Sequence, residues 1–356
     1  MRAVIVSTAL TLLASLALLG SAPVAAAQPG GGPAELCRMN DKRIGELSGL
    51  VSDGSRWYAT NDGGTRITVW VLGRDCKVER TIANPTDPLD VEDLARDSSG
   101  ALWLADIGDN QKKRPTVALH KVTPDGGSVL YRLSYPDGPR DAEALLLGRD
   151  GVPYVVTKAV LGPAGVYRPA GPLTSPGPTA LARVGDVRLN STDTPGGPPN
   201  VPHSIGSGVV TGGAVSADGM IVAIRTYTDA YLYSAPDGNI LAALGREPVR
   251  VPLPNEPQGE AIAFAPDGTL LSASEGVGQP IRAVADAVAR VPRAATAAPV
   301  QEAPAAQRAE ITDPAANPVA GRDDEYFSDD GVGVIPGIGI AVAVIVGLVL
   351  FGRRRK

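Results

Sequence analysis

The sequence is short of several residue types, and each shortage excludes a class of protein. It holds only two histidines and two cysteines in 356 residues. That removes a His-rich metal centre, a zinc finger and a disulfide-dense scaffold. There is no G-x-S-x-G elbow, no H-E-x-x-H, no phosphate-cradling P-loop, and no G-x-G-x-x-G after a strand. A Ser-His-Asp triad would have to recruit His120, which lies in a strand-like run, or His203, which lies in a Pro- and Gly-rich stretch. The net charge is −5, and no basic patch argues for nucleic acid.

The two ends carry address signals. Residues 1–27 read as a signal peptide: Arg2 opens it, Ala3 to Leu19 is apolar, and Ala25, Ala26 and Ala27 precede Gln28. At the other end Gly331 to Gly352 carries no charge and is followed by Arg353, Arg354, Arg355 and Lys356. About 20 apolar residues span a bilayer, and clustered basic residues stay on the cytoplasmic side. The expected protein is therefore a single-pass cell-membrane protein. Its N-terminal domain is extracellular, residues 331–352 form a transmembrane helix, and residues 353–356 form a cytoplasmic tail. Residues 28–36 are a Gly/Pro-rich lead-in, and 290–330 read as a disordered Ala/Pro-rich stalk. The folded part is then 37–289. Cys37 and Cys76 both fall on the exported side, where an even count suggests a disulfide, two free buried thiols being the alternative.

A repeat inside 37–289 decides the fold class. Counting from Glu46, a Gly follows at plus eight (Gly54), a large residue at plus eleven (Trp57) and a polar one at plus fourteen (Thr60). Glu92, Glu143, Thr211 and Glu260 start the same pattern, with Gly100, Gly151, Gly219 and Gly268 at plus eight. Each copy reads as a β-hairpin whose turn uses a glycine that tolerates positive φ. Further strand-like runs such as Ile67–Leu72 and Val117–Val122 raise the content to four strands per copy. Starts are 46, 51, 68 and 49 residues apart, close to the length of a propeller blade. The expectation is an all-β, five-bladed β-propeller. A six-bladed alternative would hide a blade in the long third interval. Residues near Cys37–Asn40 are expected to supply the missing outer strand of the last copy, with a Cys37–Cys76 bond stapling the closure.

In a propeller the start of each blade's first strand and the end of its second emerge on one face. That face should gather Glu46, Glu92, Glu143, Thr211 and Glu260, then Thr60, Asp106, Thr157, Arg225 and Ser274, then Asn61, Ile107, Lys158, Thr226 and Glu275. Four clustered glutamates repel one another, so they need a cation or basic partners. Lys158 and Arg225 are the basic candidates. The ligand-binding candidates are accordingly Glu46, Glu92, Glu143, Glu260, Asp106, Lys158, Arg225 and Glu275. The candidate metal ligands are Glu46, Glu92, Glu143, Glu260, Asp106 and Asp109, and Ca²⁺ is the ion their oxygens suit. The loop from Asp106 through Asp109 to Asn110 reads either as a calcium loop or as a plain Asx turn.

The copies EDLARDSSGALWLADIGDN (92–110), GEAIAFAPDGTLLSASE (259–275) and 46–62 resemble bacterial extracellular β-propellers of the NHL and phytase-like kinds. Phytase-like and related esterase-like propellers are Ca²⁺-dependent and carry acidic residues at the channel mouth. The resemblance implies that Glu46, Glu92, Glu143 and Glu260 occupy those positions. Thr211 departs from the pattern, and no basic set for a polyphosphate stands beyond Lys158 and Arg225. The expected function is a binding or scaffold module that meets an extracellular protein or cell-wall ligand through its acidic mouth. The alternative is a Ca²⁺-dependent phosphate- or carboxylic-ester hydrolase of phytase-like type.

Overall fold

The computed structural model describes residues 32–292. The segments expected to be a signal peptide, a transmembrane helix and a basic tail, and nearly all of the expected stalk, lie outside the described residues. Among the described residues no helix is long and apolar enough to cross a membrane.

Twenty strands form five antiparallel groups of four. The first group is β2 (Leu47–Ser52), β3 (Trp57–Asn61), β4 (Ile67–Leu72) and β5 (Val78–Asn84). The second is β6 (Val91–Arg96), β7 (Leu102–Asp106), β8 (Val117–Val122) and β9 (Ser128–Ser134). The third is β10 (Ala142–Leu147), β11 (Pro153–Thr157), β12 (Ala164–Pro169) and β13 (Thr179–Val187). The fourth is β14 (Val210–Val215), β15 (Ile221–Thr226), β16 (Asp229–Ser234) and β17 (Val249–Pro252). The fifth is β18 (Gly259–Phe264), β19 (Leu270–Ser274), β20 (Pro280–Val284) and, on its outer edge, β1 (Ala34–Arg38). A short parallel contact, Thr179 with Leu133 and Ala180 with Ser134, joins the second and third groups at their rims.

The first strands close a ring: β2 packs on β6, β6 on β10, β10 on β14, β14 on β18, and β18 back on β2. A ring of radially arranged meanders is a β-propeller. One apolar cluster fills each gap between neighbouring groups, as around Leu50 and Trp57, Val69 and Leu104, Tyr167 and Leu145, Val166 and Ile224, or Leu232 and Ile262. The first-to-second-strand turns follow the repeat. Gly54 sits at φ 92° and Gly268 at φ 84°, where a β-carbon would be strained. Asp53 Oδ1 accepts the backbone N–H groups of Ser55 and Arg56, which fixes its turn.

The ring closes through β1, which pairs antiparallel with β20. The closing strand starts at Ala34 and not at Cys37, so residues 34–36 of the lead-in belong to the sheet. At the other end a 3-10 turn over Val288–Arg290 and a buried Val291 extend the folded part past 289. Cys37 and Cys76 form a disulfide that ties the closing strand to the turn after β4, in the first group. The long third interval holds no further sheet among the described residues. It holds β13 and an insert, 188–209, with one helical turn, α1 (His203–Gly206).

Candidate functional site

All five first strands bulge at their start. Their register slips between Leu47 and Gly49, Val91 and Asp93, Ala142 and Ala144, Val210 and Gly212, and Gly259 and Ala261. The extra residues are Ser48, Glu92, Glu143, Thr211 and Glu260. A bulge re-aims the side chain it carries. Ser48 and Thr211 use this to tie neighbouring groups together: Ser48 donates to the Val91 carbonyl at 2.7 Å and Thr211 to the Gly259 carbonyl at 2.9 Å. Glu92, Glu143 and Glu260 instead put buried carboxyl groups at the ring.

The bulge corrects three positions of the repeat, one of them Thr60, since Asn61 is the residue that pairs with Leu47 before the bulge. Ser48, not Glu46, is the first group's equivalent of the glutamates, so Glu46 stands two residues upstream and is half-buried. Arg225 pairs with Gly212, whereas Asp106, Thr157 and Ser274 pair with the residue before the bulge. Thr226 is therefore their equivalent, and Arg225 lies one residue off. With a side-chain period of two, one residue reverses the face. Arg225 accordingly does not neutralise the ring. It is fully buried, pairs with Glu256, and donates to the Ala261 carbonyl at 2.6 Å and the Ala273 carbonyl at 3.2 Å. Ser272 holds the other oxygen of Glu256 at 2.7 Å. This pair fastens the fourth group to the fifth.

Glu92, Asp141 and Glu143 form the acidic centre, with ligand oxygens all within 4.8 Å of one another. Asp141 is the residue that sequence reasoning missed. It precedes β10, outside the repeat positions, and its Oδ1 accepts the Asp109 N–H at 2.8 Å. Lys158 Nζ meets Glu143 Oε1 at 2.5 Å, while Glu143 Oε2 has no hydrogen-bond partner. Burial works against the Lys158 charge, but Glu143, Tyr227, Asp141 and Glu92 outweigh it and hold Lys158 well above the usual lysine range. The ammonium also lies 5.8 Å from the centre of the Tyr227 ring.

Glu260 faces the same centre from β18. Burial first, then the charges of Glu275 and Glu143, push its carboxyl well above the usual range, and Lys158 opposes them. Gln258 reaches Glu260 Oε1 at 3.3 Å, and Glu260 Oε2 has no hydrogen-bond partner. Glu275 sits beside it at the end of β19.

Asp106 and Asp109 do not join this centre. Asp106 binds Arg114 at 2.8 Å and His120 at 3.3 Å. Burial opposes its charge, but the His120 hydrogen bond and the positive Arg114 keep the Asp106 carboxyl below its ordinary range. Asp109 accepts the N–H groups of Lys113 and Arg114 at 3.0 and 2.8 Å. Asp109 thus closes the loop through backbone N–H groups four and five residues on, and Asp106 is engaged by Arg114, His120 and the Asp90 N–H.

One more carboxyl lies within the ring. Asp93 is fully buried, and accepts backbone N–H groups from Leu94 at 2.8 Å, Leu145 at 2.7 Å and Gly213 at 3.1 Å. It therefore grips three first strands at once. Burial raises its pKa well above the usual range in spite of those three donors. Nothing in the repeat marks it, because the equivalent positions are Gly49, Ala144, Gly212 and Ala261.

The insert 188–209 walls one side of the mouth. Asp229 anchors it, accepting from Thr192 at 2.6 Å and Thr194 at 2.8 Å, with Arg250 at 2.9 Å. Its glycines let it lie close: a β-carbon on Gly196 would come within 2.8 Å of the Glu256 carbonyl. His203 bonds the Thr192 carbonyl at 2.9 Å and serves the insert. The opposite end of the channel is a pocket of about 130 Å³ among Leu50, Leu94, Leu145, Ile262 and Phe264, with no carboxylate in its lining.

No family model and no curated protein matches this chain in sequence. Among solved structures it is similar to a gluconolactonase from Xanthomonas campestris, at 16% identity and TM-score 0.38 over 71% of this chain and 84% of that one. It is also similar to a virginiamycin B lyase from Staphylococcus aureus, at 13% identity and TM-score 0.32 over 67% of this chain and 66% of that one. A third similarity is to a chain of a nidogen/laminin complex, at 14% identity and TM-score 0.36 over 64% and 72%. The roles of the site residues are read from this chain's own geometry.

Proposed function

We propose that the chain is a five-bladed propeller of NHL or phytase-like descent, displayed outside the cell on its C-terminal anchor, and that its channel mouth is a ligand-binding site built around a divalent cation. The observation that carries this is the buried trio Glu92, Asp141 and Glu143, with Glu143 Oε2 left without a partner. A buried carboxylate oxygen without a donor is costly unless a cation meets it. Three carboxylates suit a hard ion such as Ca²⁺, which takes six to eight oxygens and so keeps positions open for ligand oxygens. Lys158 competes for Glu143 through the other oxygen, which tunes affinity down. The disulfide supports display in an oxidising compartment.

The test is thermal unfolding in chelator, followed by titration with Ca²⁺, Mg²⁺, Mn²⁺ and Zn²⁺. A saturable stabilisation is expected, about 2.7 kcal/mol at a hundredfold excess over Kd. Asp141→Asn and Glu92→Gln should abolish it. The absence of a response to every ion would refute the reading.

One observation favours turnover as a second reading. Glu260 keeps a proton more readily than an ordinary glutamate and stands next to the trio. A neutral carboxyl beside a Lewis-acid ion is the pairing that ester hydrolysis uses. Hydrolysis of carboxylic or phosphate esters that requires the ion and is lost in Glu260→Gln would establish it. An ion-loaded protein with no turnover on either ester class would leave the binding function alone.

A further inference from the structure

The face that carries the acidic centre also carries a pocket of the opposite character. It lies at the seam between the first and second groups and measures about 250 Å³. Its walls come from residues 60–68, where β3 turns into β4, and from Pro88 and Val91, where the chain enters β6. Ile67, Val91 and Leu104, buried members of one apolar cluster, form its base. Three hydrogen bonds hold the walls. The Val91 N–H donates to the Asp62 carbonyl at 2.8 Å, the Ile67 N–H to the Thr86 carbonyl at 2.8 Å, and Asn61 Nδ2 to the Arg43 carbonyl at 2.9 Å. The fold therefore sets the pocket before any ligand arrives.

Its charge is positive. Arg43 and Arg66 both line it, and no carboxylate does. Asp41 takes Nε and Nη2 of Arg43 at 2.9 and 2.6 Å, which fixes the guanidinium and leaves Nη1 over. Arg66 is exposed, and its side chain makes no hydrogen bond or ion pair among the described residues. The loop Gly63-Gly64-Thr65-Arg66 adds four backbone N–H groups that donate to no other described residue. Successive N–H groups in a turn, set beside arginines, make a seat for an oxyanion. A carboxylate brings two oxygens and a phosphate monoester three, so a seat with this many donors favours the phosphate.

Asn61 adds a different demand. Its Oδ1 is enclosed and has no hydrogen-bond partner. An enclosed acceptor calls for a donor, which a hydroxyl beside the anionic group supplies. Size sets the last limit. The pocket is smaller than the ~300 Å³ at which sites for drug-sized ligands begin, so its occupant is compact.

We propose that the seam pocket is a second binding site, for the phosphate monoester of a small polyol. Arg66, Arg43 and the N–H groups of 63–66 take the phosphate, and Asn61 accepts from a hydroxyl. The inference does not rest on the ion, because Glu92, Asp141 and Glu143 do not line this pocket.

The test is isothermal titration calorimetry on the full chain in chelator, so that no divalent ion recruits phosphate to the acidic centre. The probes are glycerol 3-phosphate, methyl phosphate, glycerate, glycerol and inorganic sulfate. Glycerol 3-phosphate is expected to bind with a Kd below about 1 mM, at least about fivefold more tightly than glycerate or sulfate. Methyl phosphate, which lacks the hydroxyls, should bind about threefold or more weakly, and glycerol not at all. Arg66→Ala should weaken glycerol 3-phosphate at least about tenfold with no change in melting temperature, since the side chain is exposed and bonds to nothing. Arg66→Lys should lose less, because the charge stays and only the fork is lost. Asp141→Asn should bind as the parent does. No binding of glycerol 3-phosphate, equal binding of sulfate or methyl phosphate, or full binding by Arg66→Ala overturns the proposal. So does binding that needs Ca²⁺ and is lost in Asp141→Asn, which would place the phosphate at the acidic centre instead.

Discussion

Lys158→Met is the most informative single change, because it removes the ammonium that pairs with Glu143 and keeps the apolar stem. The side chains of Lys158 and Glu143 are 9% and 1% exposed. Removing one partner of a buried pair costs about 3–5 kcal/mol. The carboxyl groups can relieve part of that by taking up a proton, and this sets a ceiling. Holding a proton on one glutamate costs ~1.4 kcal/mol for each pH unit above its ordinary value of about 4.3. The ceiling is therefore about 4 kcal/mol at pH 7 and about 2 kcal/mol at pH 5.5. The sign follows from both proteins. Lys158 is raised in the native state, so its contribution is present at every pH below the ordinary lysine value and is lost only at high pH. In the variant the carboxyl groups are the raised ones, so stability is kept in acid and lost as pH rises. The gap between the two proteins must then shrink as pH falls. Denaturant unfolding at pH 7.5 and 5.5, followed through the buried Trp57, Trp70 and Trp103, measures it. Added Ca²⁺ should narrow the gap at pH 7.5 by supplying the missing charge. A gap below about 1 kcal/mol at pH 7.5, or one that widens in acid, would refute the account of the centre as a charge-compensated cluster.

Three other outcomes test the frame around the site. Cys37→Ala/Cys76→Ala opens a link between residues 39 apart in sequence, and the loop-entropy relation gives a loss of about 4 kcal/mol in urea unfolding; protease cleavage near Arg38 should accelerate, and an unchanged protein would mean that β1 closes the ring unaided. Asp93→Asn sets an amide NH2 among the backbone N–H groups of Leu94, Leu145 and Gly213, which should cost about 1–3 kcal/mol; a neutral result would show that Asp93 does not hold β6, β10 and β14 together. Arg225→Met strands Glu256 in the interior and should cost about 3–5 kcal/mol while leaving Ca²⁺ affinity unchanged; a several-fold change in that affinity would return Arg225 to the mouth.

The fate of individual residues shows what a one-dimensional pattern carries and where it stops. The glycine turns, the repeat spacing and the two cysteines are local or countable features, and they led to the meanders, the ring and its staple. The mouth itself depends on a bulge, an extra residue that leaves no mark in an alternating strand pattern. Copies aligned by their glycine turns therefore drift by a residue or two at the opposite end of the hairpin. That drift put Glu46 where Ser48 stands, Thr60 where Asn61 stands and Arg225 where Thr226 stands. It spared Glu92, Glu143 and Glu260, whose copies carry the standard spacing from bulge to turn. Asp141 escaped because it lies two residues before the counted start, at the place of Glu46 and Asp90 in the first two copies, and Asp93 because it is acidic in one copy only, so no periodicity points to it. The residues that break the repeat are also the ones that make the five positions unequal. Ser48 and Thr211 bond to the neighbouring strand's backbone, Glu92 and Glu143 converge with Asp141 and Lys158, and Glu260 turns to Glu275. A symmetric ring of five glutamates would repel itself on every side. Two hydroxyls and one lysine concentrate the acid on part of the ring, so that a single ion can be accommodated there.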